Sequence, residues 1–242
     1  MGYGGSATSG PTGAPPRRRR LVRNVTFALP PTRARAYSGT MDARDTAVPD
    51  RGRSGRDRIL DAAYGLFSRS GVRAIGVDTI TAQADVAKMT LYRNFASKNE
   101  LALAFLVQRE ERWTKGWVQS EVLRRADTPV LQLLEIFEIF TEWFERDDFE
   151  GCAFITSLLE FDSREEPVRK ACVMHLANIR GFVGELARDA GVADAERFAA
   201  QWHILMKGSI VAAHEGDYDA AQKAREMGML LLAREGLAVP VA

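Results

Sequence analysis

The 242-residue chain predicts an all-α fold on three observations. After residue 50, apolar side chains recur at spacings of three and four almost everywhere. Serine, threonine and aspartate start signals and glycine stop signals punctuate that pattern at helical lengths. No alternation of apolar and polar residues bounded by turn pairs marks a strand. At 46% apolar and 27% charged, the chain can bury a real core, which excludes wholesale disorder.

Residues 1–50 are rich in Gly, Ser, Pro and Arg without helical or strand period, and read as a disordered extension. The run Arg17–Arg20 invites comparison with an export signal. Its following apolar stretch, Val25 to Leu29, is only five residues and ends at Pro30-Pro31, too short for a signal core. The first helix is expected over 54–70: Ile59, Ala62, Ala63, Leu66 and Phe67 share a face, Ser54 and Asp57 form the start signal, and Gly71 stops it. Val77 to Ala84 forms a short helix packing Ile80 inward, and Lys88 to Phe95 another with Leu91 and Phe95 one turn apart. Ser97-Lys98-Asn99-Glu100 is a capping box that opens a long helix through Leu101 and Phe105.

Thr128-Pro129, an N-cap followed by proline, opens a helix to about Arg146 with Leu133, Leu134, Phe137, Phe140 and Phe144 inward. A short helix is expected around Phe154–Phe161, one from Pro167 to near Gly191, one capped by Asp194 to about Glu215, and a last one capped by Asp217 and ended by Gly236. The expected division is an extension at 1–50, a helix-turn-helix module at 51–98 and a helical bundle at 99–242.

The net charge of +1 hides an asymmetry. Residues 1–50 carry 8 basic and 3 acidic side chains, residues 51–98 carry 9 and 4, and residues 99–242 carry 16 and 25. A basic front joined to an acidic back points to an anion-binding part and a part with another task. The short helix pair at 77–95 fits the basic part. Its second helix offers Lys88, Met89, Thr90, Tyr92 and Asn94 on the outer face, a shape suited to the ~12 Å major groove. Lys88 suits guanine O6/N7, Thr90 a base or phosphate, and Tyr92 a phosphate. Lys98, in the first turn of the next helix, suits a phosphate oxygen, and Val77 at the head of the preceding helix completes the candidate DNA-contacting set.

Gly71, Ile80, Ala84, Val86, Thr90-Leu91-Tyr92, Phe95 and Lys98-Asn99-Glu100-Leu101 together resemble the DNA-binding domain of TetR/AcrR-type transcriptional regulators, over about residues 54–105. The resemblance implies a homodimer that binds a palindromic operator on double-stranded DNA and releases it when a small molecule enters the C-terminal domain. Three positions depart from the family pattern. Asp85 stands where glycine is usual in the turn, Ala87 where serine or threonine commonly caps the recognition helix, and Gly76 where a polar residue begins the second helix. Aspartate tolerates a left-handed backbone better than most residues, so the turn survives. The alternative is a non-specific or architectural DNA binder that relies on the Arg-rich arm.

In the acidic part, Phe140, Trp143, Phe144, Phe154, Met174, His175, Phe182, Trp202 and Met206 are the candidate lining of an effector pocket, an aromatic and thioether surface suited to a small apolar or cationic compound. A carboxylate of the Glu135, Glu138, Glu142, Glu145 stripe, or Glu160 or Asp162, would favour a cation if it turned inward. Small and apolar residues on the last two helices, among them Ala199, Ile204, Gly208, Val211, Ala221, Met227 and Gly228, suit a homodimer face. No Ser/His/Asp order, phosphate loop or H-E-x-x-H appears, so neither an enzyme nor a cofactor is expected. His175, His203 and His214 lack zinc-ligand spacing, so no metal is expected. Cys152 and Cys172 make no disulfide framework, which fits a reducing cytoplasm, and no apolar run is long enough for a membrane span.

Overall fold

The computed structural model describes residues 54–238, and every regular element among them is helical. The Arg-rich extension lies outside the described residues. Helix α1 (Gly55–Ser70) starts at its expected cap, where the Ser54 hydroxyl accepts the Asp57 N–H at 3.2 Å. It stops at Gly71, whose φ of +78° disfavours any side chain. Helices α2 (Val77–Gln83) and α3 (Lys88–Asn94) are too short to persist alone. Burial holds them: Ile59, Phe67, Ile80, Leu91 and Phe95 are all buried in the core, which continues into the bundle. Neither α2 nor α3 has a side-chain cap, as Gly76 and Ala87 imply. Asp85, in the turn, has φ +50°, the one positive φ outside glycine among the described residues. Arg58 of α1 braces that turn, donating to the Asp85 carbonyl at 2.9 Å.

Helix α4 (Lys98–Arg109) opens on the expected box: the Ser97 hydroxyl accepts the Glu100 N–H at 3.1 Å, and the Glu100 carboxylate accepts the Ala96 N–H at 2.7 Å. The helix then runs without a break through a π-helical segment, Glu110–Gln119, into α5 (Ser120–Arg125). So long a π segment is rare, and such turns gather at functional sites. Gly116 permits it: a Cβ there would lie 2.8 Å from the Glu111 carbonyl oxygen, five residues back.

Helix α6 (Pro129–Phe144) is capped by Thr128 and buries Leu133, Leu134, Phe137, Phe140 and Phe144. Then come α7 (Ala153–Glu160), α8 (Pro167–Asp189), α9 (Ala195–His214), capped by Asp194, and α10 (Ala220–Arg234). The last helix starts later than Asp217 suggested. The Asp217 carbonyl accepts the Ala220 N–H in a turn at 3.1 Å, and its carboxylate pairs with Lys223 at 2.7 Å instead of capping. In the bundle α8 packs on α9, α9 on α10 and α10 on α6, while α4 touches both α1 and α8.

Candidate nucleic-acid interface and adjoining cavity

Lys88, Met89 and Tyr92 share the outward face of α3, and Met89 and Tyr92 are 72% and 46% exposed. For two residues of such apolar area, that exposure needs a reason. Lys88 Nζ lies 2.8 Å from Asp78 of α2, and that hydrogen bond holds the ammonium's pKa above its ordinary value. Thr90 and Asn94 flank the face half-buried, and the Asn94 amide donates to the Thr90 carbonyl at 2.8 Å. Arg93, which was not among the expected contacts, is also exposed on α3.

Two expected contacts are turned elsewhere. Val77 is half-buried and packs against the core, because its helix must anchor through that side. Lys98 is half-buried, donates to the Arg73 carbonyl at 3.3 Å, and has a pKa lowered chiefly by burial. The turn that occupies it is itself tied to the bundle. The Glu160 carboxylate, at the end of α7, accepts the Val72 N–H at 2.8 Å and the Arg73 N–H at 3.3 Å, and the Arg73 guanidinium donates back to the Glu160 carbonyl at 2.8 Å. Glu160 therefore latches the α1–α2 turn and does not face a ligand.

Of the other acidic candidates, Glu145 and Asp162 are exposed and three are paired. Glu135 and Glu142 meet Arg125, at 3.5 Å for Glu135, and Glu138 meets Arg225 at 2.7 Å. Burial is the leading cause that raises the Glu135 pKa. Among the described residues no group of three or more His, Cys, Asp or Glu converges as a metal site would require.

The bundle encloses a cavity between the π segment, α6, α7, α8 and α9. Of the expected lining residues, Phe140, Phe182 and Met206 line it. The remaining wall includes Trp113, Thr114, Val118, Cys152, Ile155, His203 and Lys207. Its water-accessible space is about 30 Å³, so anything larger than one or two waters enters only as side chains move. Trp143 backs the wall, its ring 4.6 Å from that of Trp113, and Phe144 packs on Phe149. Phe154 stacks on His175 at 5.0 Å, and His175 Nδ1 lies 3.1 Å from the buried Glu110 carboxylate. Trp202 is wedged between Phe137 and Phe198, beneath Gly228. Met174 is 51% exposed on the outer side of α8 and does not reach the cavity. Helical spacing puts these residues on plausible faces, but which neighbouring helix each face meets is settled only by tertiary packing.

Arg109 joins the two regions. It is buried at the end of α4, donates to the Tyr64 hydroxyl of α1 at 3.2 Å, and stands 5.6 Å from the Tyr64 ring and 5.4 Å from that of the cavity-lining Trp113.

An exposed short helix carried by a three-helix module, continuous with a helical bundle, defines the class: a helix-turn-helix DNA-binding regulator. Comparison with known proteins agrees. Residues 59–105 match the family described as "Bacterial regulatory proteins, tetR family", and residues 129–227 match "Tetracyclin repressor-like, C-terminal domain". The chain belongs to the TetR family of transcriptional regulators, which are not enzymes.

It is similar to the HTH-type transcriptional repressor KstR of Rhodococcus jostii, 40% identical over 34% of this chain and 36% of that protein. It is also similar to the HTH-type transcriptional activator FasR of Mycolicibacterium smegmatis, 35% identical over 38% of this chain and 41% of that protein. The chain thus spans well under half the length of these curated relatives. Among solved structures, a TetR-family regulator from Streptomyces coelicolor superposes with a TM-score of 0.68 at 25% identity, covering 74% of this chain and 95% of that one. No helix among the described residues is long and apolar enough to cross a membrane.

Proposed function

We propose that the protein is a cytoplasmic, homodimeric repressor that reads a palindromic operator with α3 of each protomer and releases it when a small apolar effector enters the cavity. The exposed Lys88, Met89 and Tyr92 face of a short helix whose packing is done by Leu91 and Phe95 on its other side carries this reading. In this reading Thr90 and Asn94 flank the base contacts and Lys98 acts through the turn it supports. Dimerisation is supported by Ile204 and Val211 on α9 and Met227 and Leu230 on α10, all exposed apolar residues, while the small residues Ala199, Ala221 and Gly228 are consumed in packing inside the protomer.

The coupling is a population shift. An effector that enlarges the cavity displaces Trp113, and Arg109 transmits the movement to Tyr64 of α1, favouring a conformer whose two α3 helices no longer match successive major grooves about 34 Å apart. The effector must bind that conformer more tightly for release to follow. Repression is favoured over activation by the likeness to KstR, although FasR is named an activator.

Selection of bound DNA from a random pool tests the reading: it should return a palindromic consensus, and removal of residues 1–50 should leave the specific complex with a smaller salt slope. A pool without consensus, or loss of most binding on deletion, would favour a non-specific binder acting through the Arg-rich arm.

A further inference from the structure

The apolar groups of α3 turn in different directions, and Met89 is the one left uncovered. Leu91 is fully buried, and the Thr90 methyl is turned to α1, where a Cβ on Gly55 would stand 3.1 Å from Thr90 Cγ2. Tyr92 is exposed but ends in a hydroxyl that can donate or accept. Met89 is 72% exposed and offers methylenes, a thioether and a methyl, with no group that donates. The Lys88 ammonium beside it is tied back to α2, 2.8 Å from the Asp78 carboxylate. The face that α3 shows to solvent therefore carries one side chain that is apolar to its end, set between a held lysine and a tyrosine.

Resting on the proposed reading of an operator by α3, we infer that Met89 sets base specificity at one position of each half-site by packing on the 5-methyl group of thymine. In the major groove guanine presents the acceptors N7 and O6, adenine N7 and an N6–H₂ donor, and cytosine an N4–H₂ donor. A thioether donates nothing and accepts weakly, so Met89 answers none of these edges well. Thymine is the base that adds an apolar group, its methyl. Contact between that methyl and Met89 removes apolar surface of both partners from water, and the unbranched side chain adapts to the methyl's position.

The test uses the full-length protein and the duplex it selects from a random pool, with each thymine replaced in turn by deoxyuridine, which removes the methyl and keeps the base pair and the O4 acceptor. One thymine of each half-site should prove methyl-dependent. Loss of its methyl should weaken binding about fourfold, and loss in both half-sites about tenfold or more, as expected for one buried methyl withdrawn from each. Met89→Gln should bind the thymine and deoxyuridine duplexes within about twofold of each other and, in its own selection, lose the thymine preference at that position. Unchanged helical circular dichroism and Tm serve as its folding control, since Met89 lies outside the buried core. A selected half-site without thymine, no methyl-dependent thymine, or a methyl dependence that Met89→Gln keeps in full would each overturn the inference and leave operator reading by α3 standing. A pool that returns no consensus would overturn that reading, and the inference with it.

Discussion

Replacing Glu160 by glutamine probes the tie between the DNA-binding module and the bundle. The carboxylate accepts two backbone N–H groups of the α1–α2 turn, from Val72 at 2.8 Å and Arg73 at 3.3 Å. Glutamine keeps one acceptor oxygen, loses the charge and points an amide N–H₂ at a second donor. Hydrogen bonds to a charged group contribute roughly 1.5–3 kcal/mol each, and the partial exposure of this site lowers the net loss to about 1–2 kcal/mol. In a domain of this size that is a fall in Tm of roughly 2–8 °C. Glycine at 71 is bound to the same arrangement, since a Cβ there would lie 2.0 Å from Glu160 Oε1. Thermal unfolding followed by circular dichroism gives the stability, and titration of the selected operator gives the second readout, because the turn sets where α2 and therefore α3 sit. A Glu160→Gln protein with unchanged Tm and unchanged operator affinity would refute the latch.

Other substitutions test separate parts of the structure. Gly116→Ala should destabilise the protein by about 1–2 kcal/mol, because its Cβ meets the Glu111 carbonyl at 2.8 Å; in an ordinary α-helix the same change would stabilise by about 1 kcal/mol, so the sign in chemical denaturation reports whether residues 110–119 are π-helical. His203, with a folded pKa of about 4 against 6.5, binds its proton more readily when unfolded; its contribution is therefore present above about pH 6.5 and lost progressively as pH falls to about 4. His203→Phe should flatten that segment of the stability profile, and an unchanged slope would show that His203 is not the group responsible. Leu230→Glu combined with Met227→Glu should yield monomers in sedimentation and abolish operator binding; a dimer that persists would place the interface elsewhere.

The parts of this fold that were readable in advance are those fixed by contacts close in sequence. Ser54, Ser97, Thr128 and Asp194 each cap through a bond three residues ahead, so the residue type names the helix start. Asp85 in a left-handed turn follows from the same local logic. Asp217 misled for a related reason: a turn-forming aspartate and a capping aspartate have the same appearance until the backbone is seen. The π segment leaves no comparable mark, since Glu110–Gln119 holds ordinary helix-forming residues and a glycine.

The exposed face of α3 was legible because helical spacing separates inward Leu91 and Phe95 from outward Lys88, Met89 and Tyr92. The cavity was not. Trp202 and Met206 lie on one helix four residues apart, yet one is spent on Phe137 and Phe198 and the other reaches the hollow. Glu160 meets Val72 across 88 residues of sequence, a separation over which periodicity carries no information.

Operator reading by α3 is tested most directly by the affinity of Tyr92→Ala for the operator obtained by selection, with dimer content and helicity measured on the same sample. Tyr92 is exposed and lies outside the buried core, so stability should stay within about 0.5 kcal/mol. Operator affinity should fall about tenfold or more, the loss expected for one specific contact removed from each half-site. A folded, dimeric Tyr92→Ala protein that binds the operator as tightly as the parent would contradict the assignment of the recognition surface.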